Sequence, residues 1–240
     1  MTPWSVVLGL GLALFAGALV QSTIGFGMAV VAVPFVVVAA PELMPGSVLV
    51  TSFTLPVVQL ALAPLDIAWR ELGWALLARL VATPLGVAAV VLLSTRVISV
   101  AVAVLILVTV ATSLTTVEVR AGARNAVAAG AVAGVSGTAT SIGGPFFALV
   151  LQHERPERMR STLAAFFLVG AVMAIGSLSI AGEFSREQLW AGLVWLPFIG
   201  AGYAVAAPLR RHLDRELLRR IVLGFCVLAG VSLVVRALFF

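Results

Sequence analysis

Two short stretches combine residue types that suit the binding of a small anion. Gln21-Ser22-Thr23-Ile24-Gly25-Phe26-Gly27 and Ser136-Gly137-Thr138-Ala139-Thr140-Ser141-Ile142-Gly143-Gly144-Pro145 each put small hydroxylated side chains just before an Ile-Gly step. Both interrupt a long apolar run. Glycine permits a sharp turn and a close approach of backbone to ligand. A helix restarting just after Gly27, or just after Gly144 with Pro145 in its first turn, aims free N–H groups and the positive end of its dipole at the break. Such a terminus favours an anion. The candidate substrate-binding residues are therefore Gln21, Ser22, Thr23, Gly25 and Gly27 together with Ser136, Thr138, Thr140, Ser141, Gly143 and Gly144. Their hydroxyl and amide groups can add hydrogen bonds to oxyanion oxygens. Taken singly, each hydroxyl is explained more simply by close helix packing. The recurrence of the whole cluster points to a site.

Arg79 is the one charge inside an apolar run that is not obviously terminal. Snorkelling of its head toward the cytoplasmic headgroups is the plainer expectation, with Glu71 at most a loose partner. An anion-attracting charge at the inner mouth of a path is the sharper one. The acids from Glu42 to Glu216 fall in or beside loops, and His153 and His212 lie in arginine-rich loops. No cluster has metal-ligand spacing, no cofactor is implied, and an intramembrane enzyme would need titratable groups inside the bilayer. The single cysteine, Cys226, excludes an internal disulfide and reads as a packed core residue.

The elements that must position these residues are membrane helices. The chain of 240 residues is 62% hydrophobic and 10% charged, against about 45–50% and 25% in soluble domains. Apolar runs cover 5–40, 46–64, 72–93, 97–117, 125–151, 161–181, 188–208 and 221–238. One crossing takes about 20 residues, whereas the first run of 36 would reach about 54 Å as a single helix. It has to break, and Gly25-Phe26-Gly27 is where. Trp4, Trp69, Trp74, Trp190 and Trp195 sit near run ends, as an interfacial belt would. The first residues carry no basic side chain ahead of the apolar run, so the first segment is expected to stay in the mature protein.

Self-comparison reveals an internal repeat. Pro41-Glu42-Leu43-Met44 aligns with Pro156-Glu157-Arg158-Met159 at an offset of 115, and Arg70-Glu71-Leu72-Gly73-Trp74-Ala75 with Arg186-Glu187-Gln188-Leu189-Trp190-Ala191 at 116. Ile24-Gly25 falls on Ile142-Gly143 at 118. These collinear matches define halves of 1–118 and 119–240.

All fifteen basic residues are arginines, and their placement reports topology rather than affinity for nucleic acid, for which the sequence gives no case. If the glycine-bearing run of each half is a hairpin, eleven arginines share one side, in the loops at Arg70, Arg120 to Arg124, Arg155 to Arg160 and Arg210 to Arg220. Only Arg96, Arg186 and Arg236 face the other. The positive-inside rule makes the crowded side cytoplasmic. If instead both runs cross once, the bias largely disappears. The hairpins imply inverted halves, the architecture of many secondary transporters. The loop from Arg210 to Arg220 suits either acidic lipid headgroups or a solvated turn.

The glycine break after about twenty apolar residues, with Pro34 seven positions beyond Gly27, resembles the signature of the TauE/SafE sulfite exporter family. Its recurrence as Ser141-Ile142-Gly143-Gly144-Pro145-Phe146 strengthens the likeness, as do the size and two-half layout. The resemblance implies a multi-pass transporter of the bacterial inner membrane acting on small sulfur oxyanions or organosulfonates, with export as the direction. The chain departs from the family's fuller glycine runs at Phe26 and Pro145.

The expectation is an all-α polytopic membrane protein of two inverted repeats, each a broken helical hairpin followed by about three transmembrane helices. Its partners would be a small anionic substrate and the lipid bilayer, with a homo-oligomer left open. Alternating access about a midplane site competes with two other readings, a passive channel for a small anion or neutral solute and a non-transporting scaffold. Counterflow of labelled substrate separates carrier from channel. A scaffold requires that Gly25→Leu or Gly143→Leu leave every flux unchanged.

Overall fold

The computed structural model describes residues 3–24, 27–62, 65–114, 119–209 and 215–239. Every regular element among them is helical: α1 (Trp4–Ile24), α2 (Met28–Ala39), a 3₁₀ turn (Pro41–Leu43), α3 (Gly46–Thr51), α4 (Thr54–Leu62), α5 (Trp69–Leu92), α6 (Thr95–Leu114), α7 (Ala123–Thr140), α8 (Gly144–Val150), α9 (Pro156–Ile180), α10 (Arg186–Leu209) and α11 (Arg215–Phe239). Five of these, α1, α5, α6, α9 and α10, are long and apolar enough to cross a membrane. Large apolar side chains such as Val81, Leu85, Leu92, Ile180 and Leu228 stand exposed on the outside of the bundle. In water they would be a liability, whereas facing lipid they are at home. The protein is a multi-pass membrane protein.

The long first run breaks between Ile24 and Met28. Gly27 takes φ 118°, a left-handed conformation that glycine adopts without steric cost, and α2 folds back so that the Met28 carbonyl crowds the Cα of Gly17. Gly25 and Phe26 lie outside the described residues. The 125–151 run is likewise a hairpin. Its chain reverses at Ser141–Gly143, Gly143 packs on Ala133 of α7, and Phe147 and Leu151 return to the apolar cluster that holds Ala126 and Ala129.

The 46–64 run departs from the single helix expected of it. It divides into α3 and α4 at Ser52–Phe53. Pro56 supplies the reason, because its ring conflicts with the carbonyl four residues back, that of Ser52.

Polar contacts sort the loops between two ends of the bundle. At one end Arg155 pairs with Asp66 at 2.6 Å, and the Gln152 amide donates to the Val119 carbonyl. At the other, Arg236 donates to the Val38 carbonyl, Gln188 Nε2 donates to the carbonyls of Glu42 and Met44, and Trp4, Leu43, Glu187 and Trp190 share a groove. The hairpin of α1 and α2 opens at this second end, and that of α7 and α8 at the first. Two large apolar cores and a smaller one around Leu49, Ala174 and Leu178 fill the bundle. Of the large ones, the first gathers side chains of α1, α2, α6, α10 and α11 around Leu14, Val33, Ile106 and Trp195, and the second joins α5, α7, α8 and α9 around Leu72, Ala133, Phe147 and Phe166.

Trp195 belongs to the first core rather than to an interfacial belt. It is fully buried, and its indole N–H donates to the Val7 carbonyl at 2.7 Å. Trp4, Trp69, Trp74 and Trp190 are exposed, as belt residues are. Cys226 is buried in the first core. Of the Arg210–Arg220 loop, residues 210–214 lie outside the described residues.

Candidate functional site

The two glycine breaks meet. A cavity of about 40 Å³ is lined by Gln21, Gly27, Met28, Ala29 and Val30 from the first hairpin and by Ser141, Ile142, Gly143, Gly144 and Pro145 from the second, with Ser52 and Phe167 completing the wall. One water needs roughly 10–15 Å³ on this measure, so the space suits two or three waters or a comparably small solute. Its polar side chains are those of Gln21, Ser52 and Ser141, and the breaks add backbone amides and carbonyls that lipid cannot satisfy.

Local sequence explains how each side chain reaches its place. Gln21 lies in the last turn of α1, and its Oε1 accepts the Met28 N–H at 3.1 Å across the break, so one side chain caps the helix that follows. The N–H groups of Ala29 and Val30, at the second and third positions of α2, have no partner within the helix. Ser141 ends α7 with φ 61°, and its hydroxyl donates to the Pro45 carbonyl at 3.1 Å, tying the second break to the segment before α3. Gly144 lies against the neighbouring ring, and a Cβ there would force Phe167 to move. Ser52 reaches the cavity because Pro56 splits the α3–α4 crossing at that level.

Among the sequence candidates, Gln21, Gly27, Ser141, Gly143 and Gly144 line the cavity. Gly25 falls outside the described residues. Thr23 donates to the Leu19 carbonyl, and Thr140 donates to the Ser136 carbonyl at 2.7 Å while accepting the Ile142 N–H at 3.3 Å. These two hydroxyls serve their own helices. Those of Ser22, Ser136 and Thr138 are buried without a hydrogen-bond partner and do not line the cavity. Sequence reasoning missed Ser52, to which Pro56 was the pointer, and Phe167, for which a single sequence carries no signal.

Arg79 does not snorkel. It lies ten residues into α5, about 15 Å along the helix axis, and only 4% of its surface is exposed. Its guanidinium sits 4.7 Å from the centre of the Phe166 ring, and Nη1 donates to the Phe166 carbonyl at 3.3 Å. Gly137 and Gly170 make room for it, since a Cβ at Gly170 would overlap the guanidinium carbon.

The family described as sulfite exporter TauE/SafE matches residues 9–233. The chain belongs to that family. The match spans both glycine breaks and runs from within α1 to within α11, so the likeness first noted in the motifs holds for nearly the whole chain. Members of the TauE/SafE family are transporters, not enzymes. No curated protein matches the chain significantly, and no solved structure does either.

Proposed function

We propose that this protein is a secondary transporter, in the export direction, of a small sulfur-containing oxyanion such as sulfite or an organosulfonate, in the inner membrane of a bacterium. One observation carries the reading: two breaks more than a hundred residues apart in sequence line a single cavity. Backbone irregularity at membrane depth is tolerated where it is buried in protein or lines a cavity, and two such breaks facing one another are what a shared site requires.

The anion would sit between α2 and the Ser141–Gly144 turn, drawn by the N–H groups and dipole at the start of α2; the Ser52 and Ser141 hydroxyls, which donate to the Val48 and Pro45 carbonyls, would turn to it only on giving up those bonds. The two hairpins open at opposite ends of the bundle, which supports a reading as inverted halves, 1–118 and 119–240, forming one transmembrane domain. Rocking of these halves about the fixed site then exposes it to each side in turn. The Pro45–Ser141 contact is one closure such a motion would break.

Counterflow in proteoliposomes tests the proposal. Vesicles loaded with unlabelled sulfite should accumulate labelled sulfite transiently, and Gly144→Val should abolish this. Equilibration without overshoot would indicate a channel, and no sulfite-dependent flux would refute the transport reading.

A further inference from the structure

Arg79 is a buried cation with no counter-charge among the described residues. The ion pairs of Arg155 and Arg158 with Asp66 and of Arg158 with Glu154 lie in the loops at the first end of the bundle. None reaches Arg79. Its Nε has no hydrogen-bond partner, and the cation is held by one carbonyl and one aromatic face. An isolated charge in a membrane interior is expensive and marks functional paths. The Phe166 ring recovers part of that cost, and a second charge of opposite sign would recover far more.

The place such a charge could occupy is the glycine-break cavity. A Cβ at Gly137 would lie 3.2 Å from Arg79 Nη2 and 3.6 Å from the Gly143 Cα, so the guanidinium stands within ~7 Å of the cavity wall. Gly137 lies between the two, and it has no side chain to fill the gap. The dipeptide that carries the cation also bounds the cavity: Phe166 supplies the ring and carbonyl that hold Arg79, and Phe167 lines the cavity against Gly144.

We infer that Arg79 is the fixed counter-charge of the transported anion, acting through Gly137 from behind the second break and holding the substrate's negative charge without touching it. This rests on the anion-transport reading above and adds the source of its charge selectivity. Arg79 is thus a positioning residue, and the occupied cavity is the state in which its charge is neutralised.

The test uses the full chain in proteoliposomes with sulfite as probe, comparing a pH at which it carries one negative charge with a pH at which it carries two. A Coulombic contribution doubles, in logarithm, with the charge on the ligand. Arg79→Gln should raise the apparent KM on the order of tenfold for the monoanion and a hundredfold for the dianion relative to wild type, and Arg79→Lys should restore most of the difference. Should Arg79→Gln fail to reach the membrane, Gly137→Ala interposes a methyl group and should lower the dianion preference in the same direction by a smaller factor. An equal rise for both charge states, or Lys no better than Gln, overturns the assignment and leaves transport standing. A wild-type protein that moves sulfite in neither charge state overturns the transport reading, and this inference with it.

Discussion

Gln21 separates what holds the first break together from what the cavity binds. Its Oε1 accepts the buried Met28 N–H at 3.1 Å and also lines the cavity. Gln21→Leu removes the acceptor and leaves that N–H without a side-chain cap, a loss of about 1–3 kcal/mol. The variant should show a lower Tm in detergent. Gln21→Glu keeps an acceptor in place and adds a negative charge at the N-terminus of α2, where the dipole welcomes it. Stability should therefore be retained. An anion in so small a space would lie ~4 Å from the new carboxylate, and repulsion of about 4 kcal/mol at an effective dielectric constant of ~20 lowers its affinity by two to three orders of magnitude. Sulfite counterflow at alkaline pH, where the carboxyl is ionised, measures this directly. A Gln21→Glu protein that transports sulfite like wild type would refute the placement of the anion, and a Gln21→Leu protein as stable as wild type would refute the role given to the bond.

The remaining expectations concern the scaffold around the cavity. Gly130→Ala should cost folded yield and several degrees of Tm, because a Cβ there would overlap the Ala75 carbonyl oxygen at the α5–α7 contact, a rigid neighbour. Gly176→Ala, with nothing within 4 Å of the added Cβ, should be neutral or slightly stabilising by helix propensity, up to about 1 kcal/mol. Pro56→Ala removes the conflict that separates α3 from α4. It should leave the protein folded but withdraw Ser52 from the cavity, seen as reduced sulfite flux at unchanged Tm.

The sequence was most legible where one physical limit forced a conclusion. A run of 36 apolar residues cannot be one crossing, so a break followed from length alone, and the glycines marked its place between Ile24 and Met28. The 125–151 run was harder, since 27 residues fit one tilted crossing as well as a hairpin. What decides it is Gly143 resting on Ala133, a tertiary contact. The division at Ser52 was available in principle, because Pro56 sits inside a run otherwise uniform enough to pass as a single helix. The surroundings of Arg79 were not available. Its cradle comes from Gly137 on α7 and from Phe166 and Gly170 on α9, and nothing local to α5 distinguishes a snorkelling arginine from a sequestered one. Trp195 was misplaced for a related reason, because nearness to a run end does not say which face of α10 it occupies.

The central claim is that an anion reaches the cavity between the two breaks from either side of the membrane in turn. Ser52 lies in that cavity wall, and Ser52→Cys is nearly isosteric. The background is Cys226→Ser, tolerable because a buried hydroxyl can bond the carbonyl one turn back. The deciding measurement is labelling of Ser52→Cys by a membrane-impermeant thiol reagent, applied separately from each side, with and without saturating sulfite. Labelling from both sides, slowed in each case by sulfite, is the result expected. Labelling from one side only, or at a rate that sulfite does not change, would contradict it.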